Sequence, residues 1–212
     1  MKVMIAIPCM DMMNTDFVQS LIGMRRKGEI SIVLARSSLV YDARNSLCKI
    51  ALENDFDRIL WLDSDMTFDM DLYERFSARL DEGYDIVTGL CFTRKLPFEP
   101  CIYKSLTFDE STGEVERIPY EDYPKDALFP VEGCGCAAVM MNVDIIRQIG
   151  DKYGPPFYPQ KGWGEDLTFC WLLQKEGIQI WCDSSIKLGH VGYLQVSEDT
   201  YLATRQHYEE VV

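Results

Sequence analysis

Short unbroken apolar runs alternate with stretches of helical periodicity through the first 92 residues. Residues 3–8 (VMIAIP), 30–34 (ISIVL), 58–62 (RILWL) and 85–91 (DIVTGLC) read as buried strands. Between the first two, Phe17, Leu21, Ile22 and Met24 share one helical face, with Asn14 or Thr15 as cap. A second helix is predicted from Tyr41 or Asp42 to Asn54, with Asp42 as N-cap and Leu47, Ile50 and Ala51 on its inner face. A third spans residues 71–82 with Asp69 as candidate cap. A β-α-β-α-β-α-β order predicts an open, mostly parallel sheet with helices on both faces.

The rhythm breaks after residue 92. Residues 93–130 hold five of the nine prolines, and residues 106–108 and 115–118 flank a D-E-S-T-G turn, which predicts a hairpin insert. Small residues at 133–138 lead into another buried strand, residues 137–142. Helices are predicted over 143–149 and from Glu165 or Asp166 to Lys175, then a last strand over 178–182 and a core-closing segment over 188–193. The acidic tail, 197–212, reads as a final helix or a frayed end. One domain over 1–196 is expected, in two halves, 1–92 and 93–196.

Composition adds exclusions. With 47% hydrophobic and 26% charged residues, the 212-residue chain is of ordinary globular type. The charge balance, 21 basic against 34 acidic residues, gives −13, a field that disfavours general nucleic-acid binding. A local basic pocket for one phosphate ligand remains compatible with it. Of eight cysteines, Cys9, Cys48, Cys91, Cys101 and Cys170 lie in apolar context and read as core; Cys134 and Cys136 form a C-x-C too short for a zinc knuckle. Neither a secretory leader nor an apolar run of 18 residues is found, so a reduced, cytoplasmic protein with no membrane span is expected.

Four constellations carry candidate chemistry. Asp63-Ser64-Asp65 ends an apolar strand; two carboxylates there repel unless a hard divalent cation, Mn²⁺ or Mg²⁺, offsets them. Glu165 and Asp166 open a helix, whose N-terminus orients carboxylates that can accept a hydroxyl proton. His190 is flanked by Gly189 and, beyond Val191, by Gly192, and a neutral imidazole can complete a metal site. Arg44, in a first helical turn, and Arg94, after the fourth strand, offer forks for phosphate. Each also has a plain structural reading: a solvated acid pair, a helix cap, a core histidine and surface ion pairs.

In this order the pieces resemble a GT-A type nucleotide-sugar glycosyltransferase of the family 2 kind. They are the strand ending in Ile7-Pro8, Ala43-Arg44-Asn45, the Asp63-x-Asp65 "DxD", the small-residue strand after Gly133, the Gly-Glu165-Asp166 element and a late His190. Residues 41–45 (YDARN) with 60–65 (LWLDSD) also resemble Anp1-type mannosyltransferases. The resemblance implies a single Rossmann-like domain, with 1–92 as nucleotide-binding half and 93–196 as acceptor-binding half, binding a UDP- or GDP-linked sugar and a carbohydrate or other hydroxyl acceptor. It implies that Pro8 to Asp11 flank the base and that Arg44 and Arg94 approach the donor. Asp63 would touch ribose or metal, Asp65 and His190 would hold Mn²⁺, and Glu165 and Asp166 would face the acceptor. If configuration is inverted, Asp166 would be the base; in a retaining enzyme it would bind the acceptor. Two rivals stand beside it. The D-x-D-x-T of residues 63–67 also fits a haloacid-dehalogenase-like phosphatase with Asp63 as nucleophile, although that motif normally follows a first strand. A nucleotide-sugar binding module without turnover fits the same residues.

Overall fold

The computed structural model describes residues 1–94, 97–160 and 162–192. The tail assigned to 197–212 and the end of the closing segment, Tyr193, lie outside the described residues.

A seven-stranded sheet forms the centre. Its strands are β1 (Lys2–Cys9), β2 (Glu29–Arg36), β3 (Arg58–Leu62), β5 (Ile86–Leu90), β8 (Leu128–Val131), β10 (Ala138–Asn142) and β11 (Ile180–Lys187). The order is β2-β1-β3-β10-β5-β11-β8. Strands β2, β1, β3, β5 and β11 run one way; β10 and β8 run against them. Five further strands form two small sheets outside it. The two-residue strands β4 (Met66–Thr67) and β12 (Gly189–His190) pair with each other, and β6 (Ile102–Phe108), β7 (Val115–Pro119) and β9 (Gly133–Cys134) form a small sheet. The helices are α1 (Thr15–Gly23), α2 (Val40–Glu53), α3 (Leu72–Asp81), α4 (Val143–Tyr153) and α5 (Glu165–Lys175).

Alternation along the buried strands builds two cores. Met4 and Ala6 of β1, Ile59 and Trp61 of β3, and Val139 and Met141 of β10 face α2, α4 and α5. Their neighbours Val3, Ile5 and Ile7, Leu60 and Leu62, and Ala138 and Met140 face α1 and α3. A strand whose side chains alternate between two buried layers must be apolar throughout, which is why these segments read as continuous runs.

Several expectations are corrected. Residues 30–34 are not a strand buried on both faces: β2 is the sheet edge, and Ile32 and Leu34 are exposed. Asp42 does not cap α2; Leu39 holds that position without a side-chain bond, and Asp42 sits in the first turn. Asp71, not Asp69, is the residue at the N-cap of α3, again without a side-chain bond. The last central strand covers Ile180–Lys187, later and longer than expected, because a bulge between Asp183 and Lys187 prolongs its pairing with β5. The hairpin is present as β6 and β7, and α1 is capped by Asn14, which accepts from the Asp16 amide at 2.8 Å. Cys9 and Cys101 are only partly buried, and all eight thiols are free.

Candidate functional site

The carboxyl ends of the parallel strands converge where the chain reverses from the β1–β2 side to the β1–β3 side, the position at which open α/β sheets take ligands. A pocket of about 370 Å³ opens there. Pro8 to Met10 at the end of β1, Ser37 and Ser38 after β2, and Asp63 to Asp65 after β3 form its walls, together with Arg94 and His190. Backbone bonds fix the acidic turn. The Asp63 amide donates to the Ala137 carbonyl at 2.9 Å, the Asn14 amide to the Ser64 carbonyl at 3.2 Å and the Val191 amide to the Asp65 carbonyl at 2.8 Å.

The two carboxylates of that turn have different environments. Asp63 Oδ1 accepts from Arg44 Nη2 at 2.8 Å, and Arg44 Nε donates to Glu165 Oε1 at 3.2 Å. Arg44 is 2% exposed, its guanidinium over the rings of Trp61 and Phe157 at 5.6 and 5.8 Å. Burial opposes its charge, but Asp63 and the other acids around it outweigh burial, and its pKa rises. Burial pushes the Asp63 carboxyl up, with Arg44 acting against it. Arg44 is therefore a buried strut between the β3 exit and the start of α5. Removing one partner of such a triad leaves an uncompensated buried charge.

Asp65 belongs to a second, more open cluster. Its Oδ2 accepts from Arg94 Nη1 at 2.7 Å and lies 3.6 Å from His190 Nε2. His190 Nδ1 is 2.8 Å from the Phe92 carbonyl, an acceptor only, so Nδ1 carries the proton and Nε2 faces Asp65. Burial raises the Asp65 carboxyl, yet His190 and Arg94 outweigh it and hold the group below its ordinary value. The nearby Asp65 carboxylate raises the His190 imidazole against the opposing effect of burial. The β4–β12 pairing sets His190 opposite Met66, next to the acidic turn.

Asp166 follows Glu165 in the first turn of α5 and adjoins the Arg44 cluster. Its Oδ1 accepts from the Leu167 amide at 2.8 Å. Gly164 makes room for the carboxylate, since a Cβ there would come within 2.8 Å of Oδ1. Burial, then the neighbouring charge of Glu165, pushes its pKa up to about 6.

The structure thus joins Arg44, Asp63 and Glu165 in one cluster and Asp65, Arg94 and His190 in another, with Pro8 on the pocket wall. It does not bring Asp11 into the pocket lining; Asp11 is exposed and pairs with Arg36 at 3.2 Å. Among the described residues no group of three or more His, Cys, Asp or Glu side chains is gathered as a metal cage. Sequence reasoning missed the Phe92 carbonyl, because a backbone acceptor has no residue-type signature. Asn45 enters the sequence reading only within the Ala43-Arg44-Asn45 motif, with no role; it clamps Phe157 beneath Arg44 through bonds of 2.7 and 3.1 Å. Its position beside Arg44 was the available signal.

No family model matches the chain, and no curated protein matches it. Solved structures do. A197 from STIV superposes with a TM-score of 0.66 at 21% identity, over 91% of this chain and 87% of that one. GalNAc-T7, a GT-A glycosyltransferase solved with UDP, GalNAc and Mn²⁺, superposes with a TM-score of 0.63 at 12% identity. That match covers 92% of this chain and 44% of GalNAc-T7. At these identities the likeness is one of fold, and the fold is GT-A-like.

Proposed function

We propose that the chain is a metal-dependent glycosyltransferase that moves a sugar from a nucleoside-diphosphate sugar to an acceptor hydroxyl. The observation that carries the reading is the Asp65–His190 pair at the mouth of the switch-point pocket. The imidazole is fixed by the Phe92 carbonyl so that Nε2 faces the carboxylate. One carboxylate oxygen and one imidazole nitrogen suit Mn²⁺ or Mg²⁺ completed by diphosphate oxygens and water, so these two residues fit the ion as its protein ligands. When bound, the cation offsets charge developing on the leaving nucleoside diphosphate.

The remaining roles fall to this chain's side chains. The end of β1 at Pro8 to Met10, with Ser37 and Ser38, receives the nucleoside end of the donor. Arg94 supplies a fork to the phosphates. Arg44 acts as a positioning residue, holding Asp63 against Glu165 so that the β3 turn and α5 keep a fixed spacing. Asp166 contacts the acceptor; with a pKa near 6 it is ionised at neutral pH and remains basic enough to take a hydroxyl proton. The phosphatase alternative asks Asp63 to attack phosphorus, and its engagement with buried Arg44 speaks against that role.

A thermal-shift panel of UDP, GDP, CDP and inorganic phosphate, each with and without Mn²⁺, tests the reading. A nucleotide at about 100 times its Kd adds about 2.7 kcal/mol, roughly 5–10 °C for a chain of this size. Stabilisation by one nucleoside diphosphate only with Mn²⁺ is expected, together with sugar release from the matching donor. A response to Mg²⁺ and phosphate with none to nucleotides would overturn the reading. Nucleotide binding without turnover on any acceptor would assign a binding module instead.

A further inference from the structure

The two arginine–aspartate pairs of the acidic turn differ in a way that the transferase reading does not require. Arg44 is sealed, with 3% of its side chain exposed, and is held by two acids. Arg94 is 49% exposed, and its one ion pair among the described residues is with Asp65. The Asp65 oxygen it holds, Oδ2, is also the one nearest His190 Nε2. A cation bridging Asp65 and His190 would need that oxygen. Space for the guanidinium to leave exists on both sides. Arg94 and His190 line the 370 Å³ pocket and also a second cavity of about 330 Å³, with Phe92, Phe98, Leu188 and Gly192. The aliphatic stem lies along Gly192, where a Cβ would stand 3.3–3.5 Å from Arg94 Cβ, Cγ and Cδ.

We propose that Arg94 is an exchangeable partner of Asp65, pairing with its carboxylate when no cation is bound and moving to the diphosphate when the cation arrives. Two positive groups cannot share one carboxylate oxygen without repulsion, whereas a diphosphate brings new negative oxygens beside the displaced guanidinium. Before loading, Arg94 offsets the charge of Asp65 as Arg44 offsets that of Asp63. After loading, the same side chain becomes a donor ligand. The proposal rests on the metal and diphosphate part of the transferase reading and on no particular base or sugar.

The test compares wild type, Arg94→Met, Arg94→Lys and Asp65→Asn, following free Mn²⁺ by its electron paramagnetic resonance signal, alone and with inorganic pyrophosphate. Opposite changes are expected for Arg94→Met. Mn²⁺ alone binds about three-fold more tightly, because a competitor is gone. Pyrophosphate at saturating Mn²⁺ binds about ten-fold more weakly, because a charged donor is lost. Arg94→Lys, which keeps a charge, falls between, and serves also if the methionine variant misfolds. Unchanged Mn²⁺ affinity in Arg94→Met, changes of the same sign in both measurements, or wild-type Mn²⁺ binding in Asp65→Asn would overturn the exchange, as would no Mn²⁺ binding by any variant. Exchange on pyrophosphate with no response to any nucleoside diphosphate would keep this proposal and remove the transferase reading. Nucleotide binding with no exchange would do the reverse.

Discussion

Asp166 shows how a single side chain can be tested in two independent ways. Its carboxyl titrates near 6 in the folded chain because it is buried beside Glu165, against about 3.9 unfolded. The folded state therefore holds the proton more tightly. Stability from this group is present below the unfolded value and is lost as pH rises through 6, where burying the charge becomes a cost. Asp166→Asn, which keeps an acceptor for the Leu167 amide, should raise the melting temperature at pH 7.5 and change it little at pH 4. The expected gain is about 1–2 kcal/mol, or some 2–8 °C. The same variant should keep Mn²⁺-dependent nucleotide binding and lose transfer by 10²-fold or more if Asp166 takes the acceptor proton. Wild-type transfer by Asp166→Asn would exclude that role. At this scale the sequence was legible as to which residues matter and silent on how they pair. The neighbours of Arg44 lie 19 and 121 positions away, and no spacing announces that Asp63 and Glu165 share it.

Among the elements, one of the shortest carries the metal hypothesis. Strand β12 is two residues long and reaches the site only by pairing with β4 at Gly189–Thr67 and His190–Met66. Gly189 allows that approach, because a Cβ there would overlap Thr67 Oγ1, and a β-branched side chain on a strand has few rotamers with which to yield. Gly189→Ala should push β12 off β4, displace His190 and abolish the Mn²⁺-dependent part of nucleotide stabilisation. Adding Thr67→Ala removes the overlapping oxygen and should restore it. Thermal shifts with UDP or GDP and Mn²⁺ on the single and double variants check this; an undiminished response in Gly189→Ala would show that the pairing does not position the ligand. Most elements were legible because a buried strand or an amphipathic helix writes its period locally. Strand direction was not. Residues 138–142 read as a buried strand, yet nothing within AVMMN indicates that it runs antiparallel between β3 and β5. Nor does ISIVL reveal that β2 forms an edge, since edge or centre depends on which strands are left to pair.

For the whole molecule, charge sets the terms on which a diphosphate can enter. The chain carries −13, and the pocket wall contributes Asp63 and Asp65, each already matched by an arginine. A nucleoside diphosphate thus meets net repulsion over distances comparable to the Debye length, about 30 Å at 0.01 M salt and about 10 Å at 0.1 M. A divalent cation held by Asp65 and His190 reverses the local sign at the place where the phosphates bind. Two opposite salt dependences follow. Without Mn²⁺, raising NaCl from about 10 to 100 mM should strengthen the weak binding of UDP or GDP, because screening removes repulsion. With saturating Mn²⁺, the same change should weaken it, because screening now removes attraction. Calorimetric titrations at the two salt concentrations, with and without Mn²⁺, read both signs. Salt dependence of one sign in both series would place the nucleotide away from the metal pair. Reversal would tie the fold's ligand edge, the open Asp65 cluster and the overall acidity of the chain to one mode of donor capture.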